Sequence, residues 1–320
     1  MRILETTKYN MYKAFGLTIK SEIILQELIQ RRYSEAADIE IKINTSLKNC
    51  FKSRPFEFLV ENQTVTFMVP EIAIFQVKDG KEITVSPFEG ANQDIIRLYL
   101  LGSSFGALLL QRGIYPLHGS AIAIDGKAFA IIGDSGAGKS TLASAFMERG
   151  YQLLSDDVIA VKFSKENLPI VIPSYPQQKL WQQSLDAFGI SNEKLRPIYG
   201  RESKFCKPVI KNFHTTQLPL GGIFELVKTN GDSISIHPIH GLDLLQKLFT
   251  HTYRQFLIPK LNLTKWHFIK STLLAERLPF YQIKRPETGF SAFQIVEKIL
   301  TEINSSGNNT NTQNEIIVNR

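Results

Sequence analysis

The chain has 320 residues, 43% of them hydrophobic and 21% charged, a balance that excludes disordered, collagen-like and coiled-coil proteins. Its net charge of +7 comes from 37 Lys and Arg against 30 Asp and Glu, spread with no block of like charge, so no nucleic-acid-binding arm is expected. Two cysteines, Cys50 and Cys206, are too few for a disulfide framework or a four-ligand zinc site and fit free thiols in a reducing compartment.

The first ten residues, MRILETTKYN, lack an apolar core, unlike a signal peptide. The most apolar stretch, 98–110, contains Gly and Ser and falls short of the ~20 residues a membrane helix needs. A cytoplasmic protein without a membrane segment is therefore expected. Residues 1–90 read mainly as strands, and we expect them to form a β-rich N-terminal region. Residues 38–43 alternate polar and apolar, 56–69 split into two strands around Glu61-Asn62-Gln63, and 73–85 form a hairpin turning at Asp79-Gly80. One helix is expected within this region, over 21–32, with Ser21 as its cap and Ile23, Ile24, Leu28 and Ile29 as its apolar stripe.

A long helix is expected over 92–112, stopped by Gly113 and Pro116. Residues 121–132 read as a hairpin turning at Asp125-Gly126, and its second strand leads into a glycine-rich loop. A helix follows from Lys139 to about Gly150, then short strands at 152–155, 158–163 and 170–172. Residues 174–218 read as mixed helix and loop broken by Pro176, Pro197 and Pro208. The last third reads as strands at 222–227 and 233–237, helices at 242–253 and 263–275, a strand at 280–284 and a helix at 289–303. The segment 304–320 is polar without apolar period and reads as a disordered tail. The expected class is mixed α/β, with residues 91–303 as one catalytic domain.

One motif stands out. Gly133-Asp134-Ser135-Gly136-Ala137-Gly138-Lys139-Ser140 fits G-x-x-x-x-G-K-[ST], preceded by an apolar strand and followed by a helix, the order a phosphate-binding loop requires. Glycines let backbone N–H groups turn inward around phosphate oxygens, and the helix adds its positive end. Lys139 can reach the β- and γ-phosphates, Ser140 can ligate Mg²⁺, and Thr141 completes the loop. ATP and Mg²⁺ are thus the expected ligands, but the loop alone leaves open a kinase, a switch or an ATPase.

The next strand ends in Asp156-Asp157. Side chains alternate along an extended chain, so two adjacent carboxylates can do two jobs, one facing a metal and one an acceptor hydroxyl. Asp is also common in turns, and a lone His such as His118 is most often structural.

The run from Leu117 to Val161 resembles the core of the HPr kinase/phosphorylase C-terminal domain: His-Gly, a hairpin, G-D-S-G-x-G-K-S, a helix ending at Arg-Gly and a strand ending in Asp-Asp. The resemblance implies a P-loop kinase fold, with Asp156 as the base that takes the acceptor proton, Asp157 in the Mg²⁺ shell and His118 close to the catalytic Asp. It also implies a protein or peptide acceptor bearing Ser or Thr, and oligomers. The Glu-[Ile/Leu]-Arg-Gly-x-Gly signature of HPr kinases is absent where Gln217-Leu218-Pro219-Leu220-Gly221-Gly222 stands. The wider pattern is similar to the HPr-kinase-like lasso peptide kinases, through Tyr12–Leu17, Tyr99–Ser103, Pro173–Pro176, Lys179-Leu180-Trp181 and Thr252-Tyr253-Arg254. That resemblance implies phosphorylation of the C-terminal Ser of a precursor peptide. Arg254, read on a late helix, offers a cation for the transferring phosphoryl group or a surface ion pair. Lys204 and Lys207, near Arg201, offer contacts to phosphate or an acidic peptide, or a solvated loop; Tyr175 and Trp181 read as packing aromatics. The alternatives are an HPr kinase/phosphorylase proper and a nucleotide-binding regulator without phosphotransfer.

Overall fold

The computed structural model describes residues 9–32, 36–47 and 54–318. Cys50 lies outside them. The N-terminal strands are β1 (Asn10–Ala14), β2 (Leu17–Ser21), β3 (Ile29–Arg31), β4 (Ile39–Ile43), β5 (Phe58–Glu61), β6 (Thr64–Val69), β7 (Ala73–Lys78) and β8 (Glu82–Pro87). They make one sheet in the order β3-β1-β2-β4-β8-β7-β6-β5. The expected hairpins are present, each turned by residues at positive φ, Asn62 and Gln63 in one and Asp79 and Gly80 in the other.

The helix expected over 21–32 is absent. Ser21 ends β2, and its Oγ accepts from the Ile23 N–H at 3.0 Å and donates to the Ile23 carbonyl at 2.7 Å. Such a local side-chain bond competes with helix formation. The supposed stripe is split, with Ile23 and Leu28 buried and Ile24 68% exposed.

The segment after β8 is helical, as expected, but in three pieces: α1 (Gln93–Tyr99), a π-helical turn at Leu100–Ser104 and α2 (Phe105–Gln111). Asn92 caps α1 by accepting from the Asp94 N–H at 2.8 Å. Ile95, Ile96, Leu100 and Phe105 join the buried face of the N-terminal sheet in one hydrophobic core.

The second sheet uses β9 (Tyr115–Ile124), β10 (Lys127–Ile132), β11 (Gln152–Phe163) and β12 (Pro169–Ile172). The helix α3 (Lys139–Glu148) connects β10 to β11. A small separate sheet follows, made of β13 (Gln177–Trp181), β14 (Arg196–Ile198) and β15 (Arg201–Pro208), with the short α4 (Gln182–Ala187) between its first two strands. The expectation of helix and loop over 174–218 is therefore corrected. Prolines there exclude long helices, and the strands are too short for a clear alternating pattern to emerge.

The chain then returns to the second sheet with β16 (Leu218–Thr229) and β17 (Ser235–Pro238), crosses α5 (Gly241–Thr250), α6 (Leu257–Lys260) and α7 (Thr264–Arg277), and adds β18 (Phe280–Pro286). The order is β10-β9-β11-β12-β16-β18-β17, and β10 also pairs in parallel with β16, so five of the strands close on themselves. The segment of the missing kinase signature, 217–222, supplies the first residues of β16. One face of this sheet packs on α3 and α8 (Ala292–Val318) through Phe146, Phe224 and Ile295; the other packs on α5 and α7 through Leu248 and Leu274.

Two further expectations change. The Asp pair does not end a strand, because β11 continues through it in unbroken register with β9; the bulge lies just before it, at Leu154, and Asp157 has a positive φ. The polar segment expected to be disordered continues α8 to Val318: once Ile295, Val296 and Ile299 nucleate the helix against the core, each added residue needs no new nucleus. Among the described residues no helix is long and apolar enough to cross a membrane.

Candidate active site

The phosphate loop leaves the end of β10 at Gly133. Its φ is +144°, and a Cβ there would lie 2.4 Å from the Leu226 carbonyl oxygen of β16, so only glycine lets the strand turn away from its parallel neighbour. Ser135, Gly136, Gly138, Ser140 and Thr141 line a cleft of about 940 Å³. Asp134 stands exposed, while Ala137 is buried beneath the loop. Lys139 folds over the loop, its Nζ donating to the carbonyls of Gly133 at 2.7 Å and Asp134 at 2.9 Å. Burial lowers its pKa to about 8, although Asp156 and Asp157 pull the other way. Thr141 Oγ1 is engaged with Ser184 Oγ at 2.7 Å.

Asp156 is buried and reaches across to the loop. Its Oδ1 accepts from Ser140 Oγ at 2.9 Å and from Ser120 Oγ at 2.6 Å, and its Oδ2 accepts from the Lys179 N–H at 2.9 Å. The partners follow from register, since Ser120 on β9 lies opposite Asp156 on β11. Asp157 points elsewhere, as alternation requires. Its Oδ2 accepts from Lys179 Nζ at 2.6 Å, and its Oδ1 lies 3.5 Å from His118 Nδ1. Burial alone would raise the Asp157 carboxyl, but the Lys179 ammonium and then His118 hold it well below the ordinary carboxylate range. The same pairing keeps Lys179 charged against its own burial. Ser140 therefore meets Asp156, while Asp157 is committed to Lys179.

His118 Nδ1 lies 2.9 Å from the Asp157 carbonyl oxygen, and the ring packs near Tyr253. A carbonyl only accepts, so Nδ1 carries the proton in this hydrogen-bond network and Nε2 is left as an acceptor. Burial lowers the pKa of His118, opposed by Asp157. The resemblance set this histidine beside the catalytic Asp; its bonded partner is the neighbouring Asp157.

Lys204 and Arg254 both line the cleft. Lys204 Nζ lies over the Trp181 ring at 5.3 Å, and burial lowers its pKa. Arg254 is not on a helix. It sits in the turn after α5 at a φ of +55°, its guanidinium donates to Ser103 Oγ at 2.6 Å, and its Nε is buried without a partner among the described residues.

Three residues at or behind the cleft wall had no role assigned from sequence. Gln178 donates from Nε2 to the Ser140 carbonyl at 3.1 Å and accepts from Ser144 Oγ at 2.9 Å, pinning the start of α3. Lys179 bridges both aspartates; in the sequence it was only part of the pattern that resembles the lasso peptide kinases. Arg285, at the end of β18, donates from Nε to the Ala137 carbonyl at 2.9 Å and lines the cleft beside the loop. A lone Arg 146 positions beyond Lys139 carries no local signal that could have linked it to the loop.

Hard oxygen donors suit Mg²⁺, which needs few protein ligands beside phosphates and water. The Ser140 hydroxyl and the Asp156 carboxylate converge within 2.9 Å and fit that need. Among the described residues no cluster of three or more His, Cys, Asp or Glu forms a closed metal site.

Part of the chain is similar in sequence to HPr kinase/phosphorylases. It is 40% identical over 147 residues to the HPr kinase/phosphorylase of Prosthecochloris aestuarii, covering 44% of this chain and 42% of that protein. It is 33% identical over 110 residues to the HPr kinase/phosphorylase of Bordetella avium, covering 34% and 32%. The chain thus matches less than half the length of these curated relatives. The solved Hpr(Ser) kinase/phosphatase from Coxiella burnetii aligns with a TM-score of 0.36 at 16% identity, covering 63% of this chain and 97% of that one. No protein-family model matches.

Proposed function

We propose that this protein is an ATP-dependent kinase of HPr-kinase type that phosphorylates a serine or threonine hydroxyl on a protein or peptide. The observation that carries the reading is the hydrogen bond from Ser140 of the phosphate loop to the buried Asp156, which joins a phosphate cradle to a carboxylate in one cleft. A module that only binds nucleotide would use this carboxylate for Mg²⁺ alone and has no need of a base; the kinase reading gives it the acceptor proton as well. The partial similarity to HPr kinase/phosphorylases supports the same reading.

In this reading the loop amides and Lys139 bind the β- and γ-phosphates. Ser140 and Asp156 would hold Mg²⁺, which when bound offsets charge on the phosphates. Asp156 also takes the acceptor proton, while Asp157 stays engaged with Lys179. His118 orients this carboxylate pair through the Asp157 backbone. Lys204 and Arg254 add positive charge to the cleft around the transferring group. The resemblance to lasso peptide kinases makes the C-terminal serine of a precursor peptide the acceptor we propose, with HPr as the alternative.

Incubation with γ-labelled ATP and Mg²⁺, with HPr in one arm and a serine-terminated precursor peptide in the other, tests this. Label on the peptide that is lost in Asp156→Asn supports both the kinase and the acceptor; label on HPr supports the kinase with the other acceptor. ATP binding without label on either would overturn the kinase reading in favour of a nucleotide-binding regulator.

A further inference from the structure

Beside the cleft lies a second cavity of about 720 Å³, between α1 and the β13–β15 sheet. It is not isolated: Leu98, Lys179, Ile198 and Tyr199 line both spaces. Its wall is largely apolar, with Ile95, Leu101, Pro197 and Phe205 among its residues. Tyr199, on the shared edge, is 68% exposed.

One end of the cavity carries an ion cluster. Glu27 Oε1 accepts from Arg97 Nε at 3.0 Å and from Arg196 at 3.2 Å, and Arg196 and Arg97 also reach Asp94. Both cations use the same carboxylate oxygen. Glu27 Oε2 is left buried and without a hydrogen-bond partner, on a side chain only 7% exposed. The carboxylate is enclosed with its two cations, which leaves the apolar wall as the surface the cavity offers.

We infer that this cavity is the acceptor-binding pocket of the kinase: it takes a peptide segment flanking the phosphorylated hydroxyl and seats one apolar side chain against Ile95, Leu101 and Phe205. The occupant is a peptide chain because the pocket opens into the cleft that holds Asp156, and only a chain can fill the pocket while its hydroxyl lies in the cleft. The inference rests on the kinase reading for the word acceptor, but peptide capture itself does not.

Cys206 lines the pocket and not the cleft, so Cys206→Phe fills it without touching the nucleotide site. The probe is a mixture of short peptides with one fixed serine and all other positions randomised, retained on the full chain in the presence of a non-hydrolysable ATP analogue. The wild type should enrich an apolar residue at one fixed distance from the serine, by about tenfold over the input. Cys206→Phe should abolish that enrichment while its affinity for the ATP analogue stays the same. If Cys206→Phe does not fold, Cys206→Met, with its adaptable side chain, fills part of the pocket and should weaken the enrichment. No enrichment by the wild type, or the same enrichment in a folded pocket-filling variant, would overturn the pocket. Label transfer from γ-labelled ATP to the same mixture is read separately. Transfer without enrichment removes the pocket alone, and enrichment without transfer removes the kinase reading alone.

Discussion

On one wall of the cleft the residues that would meet phosphate, Gly133 to Thr141, follow one another in sequence; on the rest of it Lys179, Lys204, Arg254 and Arg285 come from β13, β15, the turn after α5 and β18. The first wall makes its geometry from its own backbone, a strand end, a glycine at positive φ and the start of α3. The second exists only when distant elements pack. A change on the phosphate-loop wall should therefore remove chemistry and leave the fold, whereas a change on the assembled wall should cost stability as well.

The largest effects should come where the two walls touch. Asp156→Asn should lower phosphoryl transfer by about a thousandfold or more, while the nucleotide still binds. Lys139→Ala should instead weaken ATP binding itself, which calorimetric titration would read. Near-normal transfer in Asp156→Asn would break the assignment of that carboxylate.

Next in size is the buried pair between them. Lys179 Nζ lies 2.6 Å from Asp157 Oδ2, with side chains 12% and 20% exposed. Lys179→Met leaves the carboxylate without its cation, and breaking such a pair costs about 3–5 kcal/mol. The double variant Asp157→Asn/Lys179→Met should recover much of that loss in denaturant unfolding. Equal stability of single and double variants would show that this wall is not held by the pair.

The same contrast explains how much could be read from the sequence. The phosphate loop, the Asp79-Gly80 and Asp125-Gly126 hairpins and the helical run from α1 to α2 are specified by residues close together, and each was legible. The π-helical turn inside that run was not, because it is stabilised by contacts such as Arg254 on Ser103, 151 positions apart. The β13–β15 sheet was missed because its strands are short and Pro-interrupted. With it went the environment of Lys179 and Gln178, although both residues stood in plain view. Asp156 and Asp157 were found, but which of them faces Ser140 depends on the register of β9 against β11 and on a bulge, neither of which leaves a local signature.

Arg285 tests whether the assembled wall also supports the loop. Arg285→Lys keeps a cation but loses the hydrogen bond to the Ala137 carbonyl. A bond of about 1 kcal/mol corresponds to a roughly fivefold rise in KM for ATP, with kcat little changed. A fall in kcat at constant KM would mean that the guanidinium acts on the transferring group and not on the loop.

A further effect is expected on pH, and it should separate the two walls. His267, on α7, is buried beside Tyr115 and bonds Thr252 Oγ1 at 2.8 Å, two residues before Arg254. Burial lowers its pKa from 6.5 to about 4. The unfolded chain therefore takes up this proton as pH falls below 6.5 while the folded chain does not, so stability declines from there down to about pH 4 and the decline from this group ends below it. His267→Gln should flatten that part of the stability profile in denaturant unfolding. Hydrogen exchange on the wild type should show the turn at Thr252–Arg254 opening on acidification before the phosphate loop does, because the loop amides depend on no titrating group of α7. Loss of protection in both walls together would mean that the cleft opens as one unit, and the contrast between a local wall and an assembled one would not extend to its dynamics.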